Sequence, residues 1–392
     1  MNVYIHSRFV EKDRIDVQPR LSDPPFRSEK GEGFGAVSRI GVPAPPSPVA
    51  ELHNRGTSGA ARSACGACSI FHNAGFGSLM INVKDEYLHE GKRIAGWAES
   101  YSLNFADRKS KLFGFADINY FPSSREAEFT WSVFYNDELY SYANTVDFRP
   151  AEAARVLSDR RFTYKIIHPP EKFEMKLKGE SIALDLSLTG AYPAYVFPAA
   201  TSEDSHTAEG EREIQLWERY EQRCRVSGAL SVLRGEKKGQ TRRFECPGMR
   251  KHSWGERFSD RLQCYSWVNV QFRDMCMDLT YFEVGSVPYS QGFISRRSGN
   301  IPIMNVELEL LAFSREKKTL LSGEFSYRDA QDDRDLIVSR RIHSVDMPLP
   351  RSKKARYVRF RAFSEFTVIG TGKKGIGMEE HLISLERLKT LD

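Results

Sequence analysis

The 392 residues contain no long lysine or arginine run and no helix-like segment with a basic face. A formal charge of +5, scattered along the chain, therefore gives nucleic acid nothing to follow. No stretch reaches the length of a membrane span. "MNVYIHSRFVEKDRIDV" lacks the continuous apolar segment of a secretory leader. Cysteine is sparse, at six. Cys65 and Cys68 form one CxxC, but no second pair stands at zinc-ligand spacing. Cys224, Cys246, Cys264 and Cys276 are dispersed and read as reduced thiols of a cytoplasmic protein. HExxH, a Walker loop and GxSxG are all missing. "GTGKKG", Gly370 to Gly375, matches GxGxxG, but too little chain follows for a helix, a second parallel strand and an acidic partner. The composition thus predicts no metal and no cofactor.

Residues 1–79 are poor in apolar periodicity and hold 16 Gly plus Pro, including "GVPAPPSPVAE". Such a segment cannot bury enough surface to offset its ordering entropy. It reads as a disordered tail, or as an extension upstream of a natural start at Met80. Ordinary globular sequence begins with "MINVKDEYLHEG".

From residue 97 onward the apolar period is two. Phe129, Trp131, Val133 and Tyr135 share one face, and Asn136-Asp137 follows as a two-residue turn. Phe173, Met175 and Leu177 alternate with charges, as do Ile182, Leu184, Leu186 and Leu188. Val306, Leu308 and Leu310 repeat the pattern. Helical patterns are confined to "PAEAARVLSD" and "EREIQLWERYEQ". "YSLNFADRKSKLFGFADINYF" from Tyr101 is echoed by "YSWVNVQFRDMCMDLTYF" from Tyr265. The echo matches Asp117 to Asp278 and Tyr120 to Tyr281. One repeat is the size of an eight-stranded up-and-down barrel. The expected fold is all-β, with two antiparallel β-barrels in tandem. The expected division is a tail at 1–79, one barrel at 80–210 and another at 211–392.

Strand period places His252 and Trp254 on one face, between Gly248 and Gly255, which suit bends or bulges. Trp267, Asn269 and Gln271 share a face. Asp278 lies opposite Tyr281 and Glu283. Glu221 and Gln222 point opposite ways, so at most one faces inward. Each group has a structural reading too. His252 can hold a backbone carbonyl while Trp254 plugs a barrel, the two amides can satisfy each other, and Glu283 can face solvent.

"WERYEQRCRVSGALSV", "RKHSWGER", "YSWVNVQF" and "GIGMEEHL" together resemble the tandem lipocalin-like family that includes the carotenoid 1,2-hydratases, over roughly residues 97–385. His-Ser-Trp-Gly is the most specific part. The resemblance implies two lipocalin-like barrels and an apolar, terpenoid or polyene substrate. Tyr281-Phe282-Glu283 resembles that family's Tyr-x-Asp, with Glu in place of Asp. It implies Glu283 as an acid, His252 as its partner and Asp278 as the next carboxyl. Trp254, Trp267, Tyr281, Asn269, Gln271 and Glu221 would then line the substrate. Burial would keep such a carboxyl protonated, and aromatic faces would stabilise a carbocation. The expected function is metal-free acid–base chemistry: hydration, cyclisation or isomerisation. A lipid carrier or sensor is the alternative, and barrels filled by their own side chains are a third. The expected partner is an apolar small molecule, with at most passing contact with a membrane surface. An imidazole and a carboxyl converging at an apolar cavity would favour the enzyme, and a purely aliphatic lining the carrier.

Overall fold

A computed structural model describes residues 2–6, 81–149, 154–198, 217–257, 262–346 and 356–389, apart from short breaks at 93, 95, 286 and 315–318. The tail expected at 1–79 lies outside the described residues, except that Asn2–His6 forms strand β1.

Two antiparallel sheets make up the rest. The first contains β2 (Trp97–Asp107), β3 (Leu112–Phe121), β4 (Glu126–Tyr135), β5 (Glu138–Asp147), β6 (Val156–Ser158), β7 (Phe162–His168), β8 (Lys172–Lys178) and β9 (Ile182–Gly190). It is completed by β10 (Tyr195–Val196), β11 (Glu218–Val232) and β12 (Thr241–Glu256). Its order is β5-β4-β3-β2-β12-β11-β9-β8-β7-β6, with β10 beside β11. The second contains β13 (Leu262–Gln271), β14 (Cys276–Val284), β15 (Val287–Arg296), β16 (Gly299–Ser314), β17 (Thr319–Asp329), β18 (Arg334–Asp346), β19 (Tyr357–Val368) and β20 (Lys374–Ser384). Its order is β16-β15-β14-β13-β20-β19-β18-β17, and β16 also pairs with β17. That pairing closes an eight-stranded barrel, to which β1 adds by pairing with the Leu310–Ser314 end of β16. A short helix, α1 (Leu385–Lys389), follows it.

The fold is therefore the all-β tandem that the alternation predicts, with two corrections. The first sheet is a half-barrel, because β5 and β6 share no backbone ladder. Side chains bridge that gap instead: Tyr142 Oη and Asn144 Nδ2 donate to Asp159 at 2.6 and 2.9 Å. The dividing line also moves. β11 and β12 pair with β9 and β2, so residues 218–256 belong to the first sheet and not to a unit beginning at 211.

The two expected helices fail where they can be read. Val156–Ser158 and Glu218–Gln222 are strand. Cross-strand pairing overrides local helix propensity there. Asn136 and Asp137 take φ of 51° and 68°, as a tight hairpin turn requires. Phe129, Trp131 and Val133 are buried in the half-barrel's core with Phe173, Met175, Leu177 and the Ile182–Leu188 row. Val306 and Leu308 enter the closed barrel's core, but a bulge between Leu308 and Leu310 shifts the phase, and Leu311 takes the next core place.

The echo is real at Tyr101 and Tyr265, and its finer matches slip. Both hairpins turn between equivalent ends, Asp107 to Leu112 and Gln271 to Cys276. On that alignment Asp278 corresponds to Gly114, not to Asp117. The GxGxxG match is the turn between β19 and β20, an antiparallel hairpin. Cys224, Cys246, Cys264 and Cys276 are free, buried thiols, and burial raises the pKa of each. Among the described residues no helix is long and apolar enough to cross a membrane.

Gly377 shows how closely β20 lies on β13. A Cβ there would meet the Asn269 carbonyl oxygen at 1.8 Å. Gly377→Ala should therefore lower stability by roughly 3 kcal/mol, the upper end for overpacking. Urea denaturation checks this; an unchanged midpoint would mean that the strand can move aside.

Candidate functional site

The strands β11 and β12 lie in the middle of the first sheet, and their two faces carry different chemistry. Tyr220 lies opposite His252, and Glu221 opposite Lys251. The side of Tyr220, Gln222, Arg250, His252 and Trp254 turns to the half-barrel. The side of Arg219, Glu221 and Lys251 turns to the closed barrel. Glu221 and Gln222 thus point opposite ways, as strand alternation demands.

On the half-barrel side a chain of buried polar groups begins at Arg250. Its guanidinium grips Glu86 through two hydrogen bonds, Nη1 to Oε2 at 2.9 Å and Nη2 to Oε1 at 2.8 Å. Glu86 ends a short 3-10 helix, Val83–Glu86, which lowers it onto the sheet. Tyr220 Oη donates to Glu86 Oε2 at 2.7 Å and lies 3.1 Å from His252 Nδ1. On its other edge His252 Nε2 lies 2.7 Å from Glu99 Oε1. The same oxygen is 3.0 Å from His89 Nδ1. The backbone N–H of His89 donates to Glu99 as well, at 3.0 Å to Oε2. Tyr101 stacks on His252 at 3.9 Å, and His89 on Trp254 at 4.0 Å between centroids.

Charge follows this geometry. Burial raises the Glu99 carboxyl, but hydrogen bonds from His252 and His89 outweigh it and leave its pKa lowered. Burial works to lower His89, but the hydrogen bond and charge of Glu99, with Asp85, raise it above an ordinary imidazole. Burial lifts the Tyr220 phenol well above its usual range, so it stays a donor.

A pocket of about 250 Å³ opens beside this chain. His89, Trp97, Trp217, Trp254, Ile94 and Gly255 line it, with Glu90, Lys92, Glu218 and Glu256 at its polar edge. Gly255 has φ of +127° and turns the end of β12 here, the bend expected of it. Gly248 is different: it lies in a regular ladder, where a Cβ would meet Val226 Cγ2 at 2.6 Å. His89 Nε2 is buried, makes no close hydrogen bond and faces Asp85 Oδ1 at 3.7 Å.

The seam between the sheets collects most of the other expected residues. Arg219 Nη2 donates to Thr280 at 2.9 Å and lies 3.9 Å from Asp278. Glu221 lies between Arg219 Nε at 4.0 Å and Lys251 Nζ at 3.8 Å. Burial first, then the Glu221 charge, raises the Asp278 carboxyl well above the carboxylate range. Lys251 sits over the Trp267 ring at 5.0 Å. Trp267 itself fills an apolar seam with Phe113, Phe115, Phe363 and Met378. Gln271 Nε2 donates to Asn269 Oδ1 at 2.9 Å, but Gln271 Oε1 is buried without a partner, so the two amides satisfy each other only in part.

Tyr281 and Glu283 lie elsewhere. Tyr281 is in the closed barrel's core, and its hydroxyl donates to Glu283 at 2.6 Å. Arg387 of α1 stands 3.6 Å from Glu283. No contact joins Glu283 to His252. The structure therefore unites His252 with Trp254, gathers Glu221, Trp267, Asn269, Gln271 and Asp278 at the seam, and leaves Tyr281 and Glu283 in the second barrel.

Sequence reasoning missed Glu86, His89, Glu99, Tyr101, Tyr220 and Arg250. Some had a signal. Arg250, His252 and Trp254 run at period two, and Glu99 and Tyr101 run at period two opposite them: Glu99 pairs with Trp254, Tyr101 with His252.

Residues 82–384 match the family described as a domain of unknown function, DUF7064. No curated protein sequence matches the chain significantly. Similar solved structures share its fold. The AttH-like protein of Nitrosomonas europaea is 12% identical at a TM-score of 0.58, with 82% of this chain and 98% of that one covered. Kievitone hydratase of Nectria haematococca is 9% identical at 0.51, covering 79% and 94%. CghA, solved with Sch210972, is 10% identical at 0.51, covering 74% and 89%.

Proposed function

The chain belongs to the DUF7064 family, and we propose that it is a barrel enzyme acting on an apolar, terpenoid or polyene substrate by acid–base chemistry. One observation carries this reading. An imidazole, a carboxylate and a second imidazole, His89, Glu99 and His252, meet in contact distance, and the first of them lines an aromatic pocket. An aliphatic pocket without such a group would suit a carrier. The substrate's reacting carbons would lie against Trp97, Trp217 and Trp254, whose faces stabilise positive charge. His89, stacked on Trp254 in the pocket wall, is the imidazole that would reach it. Glu99 orients that ring, and His252, Tyr220, Glu86 and Arg250 hold Glu99 in place.

The proton then goes from His89 to one alkene carbon. In a hydration, water adds to the other carbon and its proton returns to His89. In an isomerisation, His89 takes a proton back from the neighbouring carbon, which restores the alkene one position along. That kievitone hydratase shares the fold supports a hydration. Glu283 has no part in this scheme, and neither does Trp267 in the pocket.

Binding tests the reading first. A fluorescent apolar probe should bind saturably and be displaced by a long-chain isoprenoid. Trp254→Ala should weaken it by roughly tenfold, the worth of one lost aromatic wall. Trp267→Phe should leave it unchanged. Absence of saturable binding, or equal loss in both variants, would sink the pocket as the substrate site.

A further inference from the structure

The hydrogen bonds around His252 leave one contact in need of a cation. Glu86 is held by both arms of Arg250 and accepts. Tyr220 has a single hydroxyl proton, and Glu86 takes it at 2.7 Å. Towards His252, Tyr220 can then only accept. So Nδ1 of His252 carries the hydrogen, and Nε2 turns its other edge to Glu99. Glu99 is itself an acceptor, since the His89 backbone N–H donates to it. Two lone pairs would face each other at 2.7 Å unless something positive lies between them. His89 Nδ1 approaches the same oxygen at 3.0 Å. A proton satisfies this arrangement as it stands, and a metal ion would satisfy it with the ligand atoms drawn apart to roughly 3.3 Å, the spacing about a tetrahedral zinc.

We propose that His89, Glu99 and His252 form a binding site for one divalent transition-metal ion of the zinc type. The three ligand atoms lie within 4.8 Å of one another, on β2, on β12 and on the segment before β2. Two imidazoles and one carboxylate suit zinc and its neighbours, and three protein ligands leave a position for water or a ligand oxygen. The outer contacts are those that such a site needs. Tyr220, backed by Glu86, fixes the His252 tautomer with Nε2 inward, and the backbone N–H of His89 fixes the carboxylate. His252 and Glu99 are 1% and 0% exposed, while His89 lies at the pocket wall and gives an ion its entry. This inference goes beyond the proton-transfer reading and does not depend on it. An ion here would take the lone pairs that otherwise take protons, and a loaded centre would pass none through Glu99.

The test needs no substrate. The full chain, stripped with chelator and dialysed, is titrated with ZnCl2 by calorimetry, and with CoCl2 by visible absorption. One equivalent should bind. Because His89→Ala removes a ligand, it should weaken binding by roughly 100-fold or more, at least the loss known for outer-sphere partners. His168→Ala, an exposed histidine, should bind as the wild type does. Should His89→Ala melt early, imidazole 15N shifts of the wild-type chain decide instead: zinc should move two rings and no others. No saturable binding, wild-type affinity in folded His89→Ala, or shifts at other histidines would overturn the site.

Discussion

Glu99→Gln should lower turnover by about 10²- to 10⁴-fold, the usual worth of a group that sustains acid–base transfer. The substitution keeps the shape and one oxygen facing the imidazoles. It removes the charge that raises His89 and holds His252. The expected split is informative. Probe affinity should stay within a few fold, because Glu99 is fully buried and does not line the pocket. Turnover, measured on whichever isoprenoid displaces the probe, should collapse. Glu283→Gln provides the contrast: it sits with Tyr281 inside the closed barrel, so turnover should remain near wild type. If Glu99→Gln were fully active while folded, the imidazole–carboxylate centre would fall. The raised carboxyl of Asp278 at the seam would then be the acid to examine.

The contrast between Glu99 and Glu283 also marks what a sequence of this kind can tell. Period-two alternation located strands such as β4, β8, β9 and β16, because each buries one face, and that requirement is written residue by residue. It placed His252 with Trp254, and Tyr281 with Glu283, correctly. It could not say which strand lies beside which. Glu99 meets His252 because β2 and β12, 153 positions apart at this contact, are neighbours in one sheet. The echo of Tyr101 at Tyr265 pointed to a duplication but not to the crossover that returns β11 and β12 to the first sheet. Local propensity misled at Glu218–Gln222, a helix-like run that is the strand carrying Tyr220. Glu86 ends a single 3-10 turn and His89 follows in irregular chain, too short a stretch for any periodicity to be read.

Glu86 therefore supplies the second large effect, on stability. Its carboxylate and the Arg250 guanidinium are 0% and 4% exposed, joined by two hydrogen bonds. Arg250 also donates to Gln222 Oε1 at 2.7 Å and lies over the Phe173 ring at 4.3 Å, inside the half-barrel. Burial works to lower its pKa, and the Glu86 charge outweighs this, so the arginine stays charged. Glu86→Leu would leave that cation buried and unpaired, which costs about 3–5 kcal/mol. For a compact unit of roughly 300 residues the melting temperature should fall by about 5–8 °C. The second substitution of a cycle separates the cost of stranding from the worth of the pair. Glu86→Leu with Arg250→Met removes both charges and fills similar volume, so much of the loss should return. The double variant should still lose activity, because Tyr220 would lose its 2.7 Å acceptor and His252 its fixed tautomer. Recovery of stability without recovery of turnover would show that the pair serves the site. If the double variant regained both, Tyr220 would be holding His252 without Glu86, and the chain of positioning groups would end at the phenol.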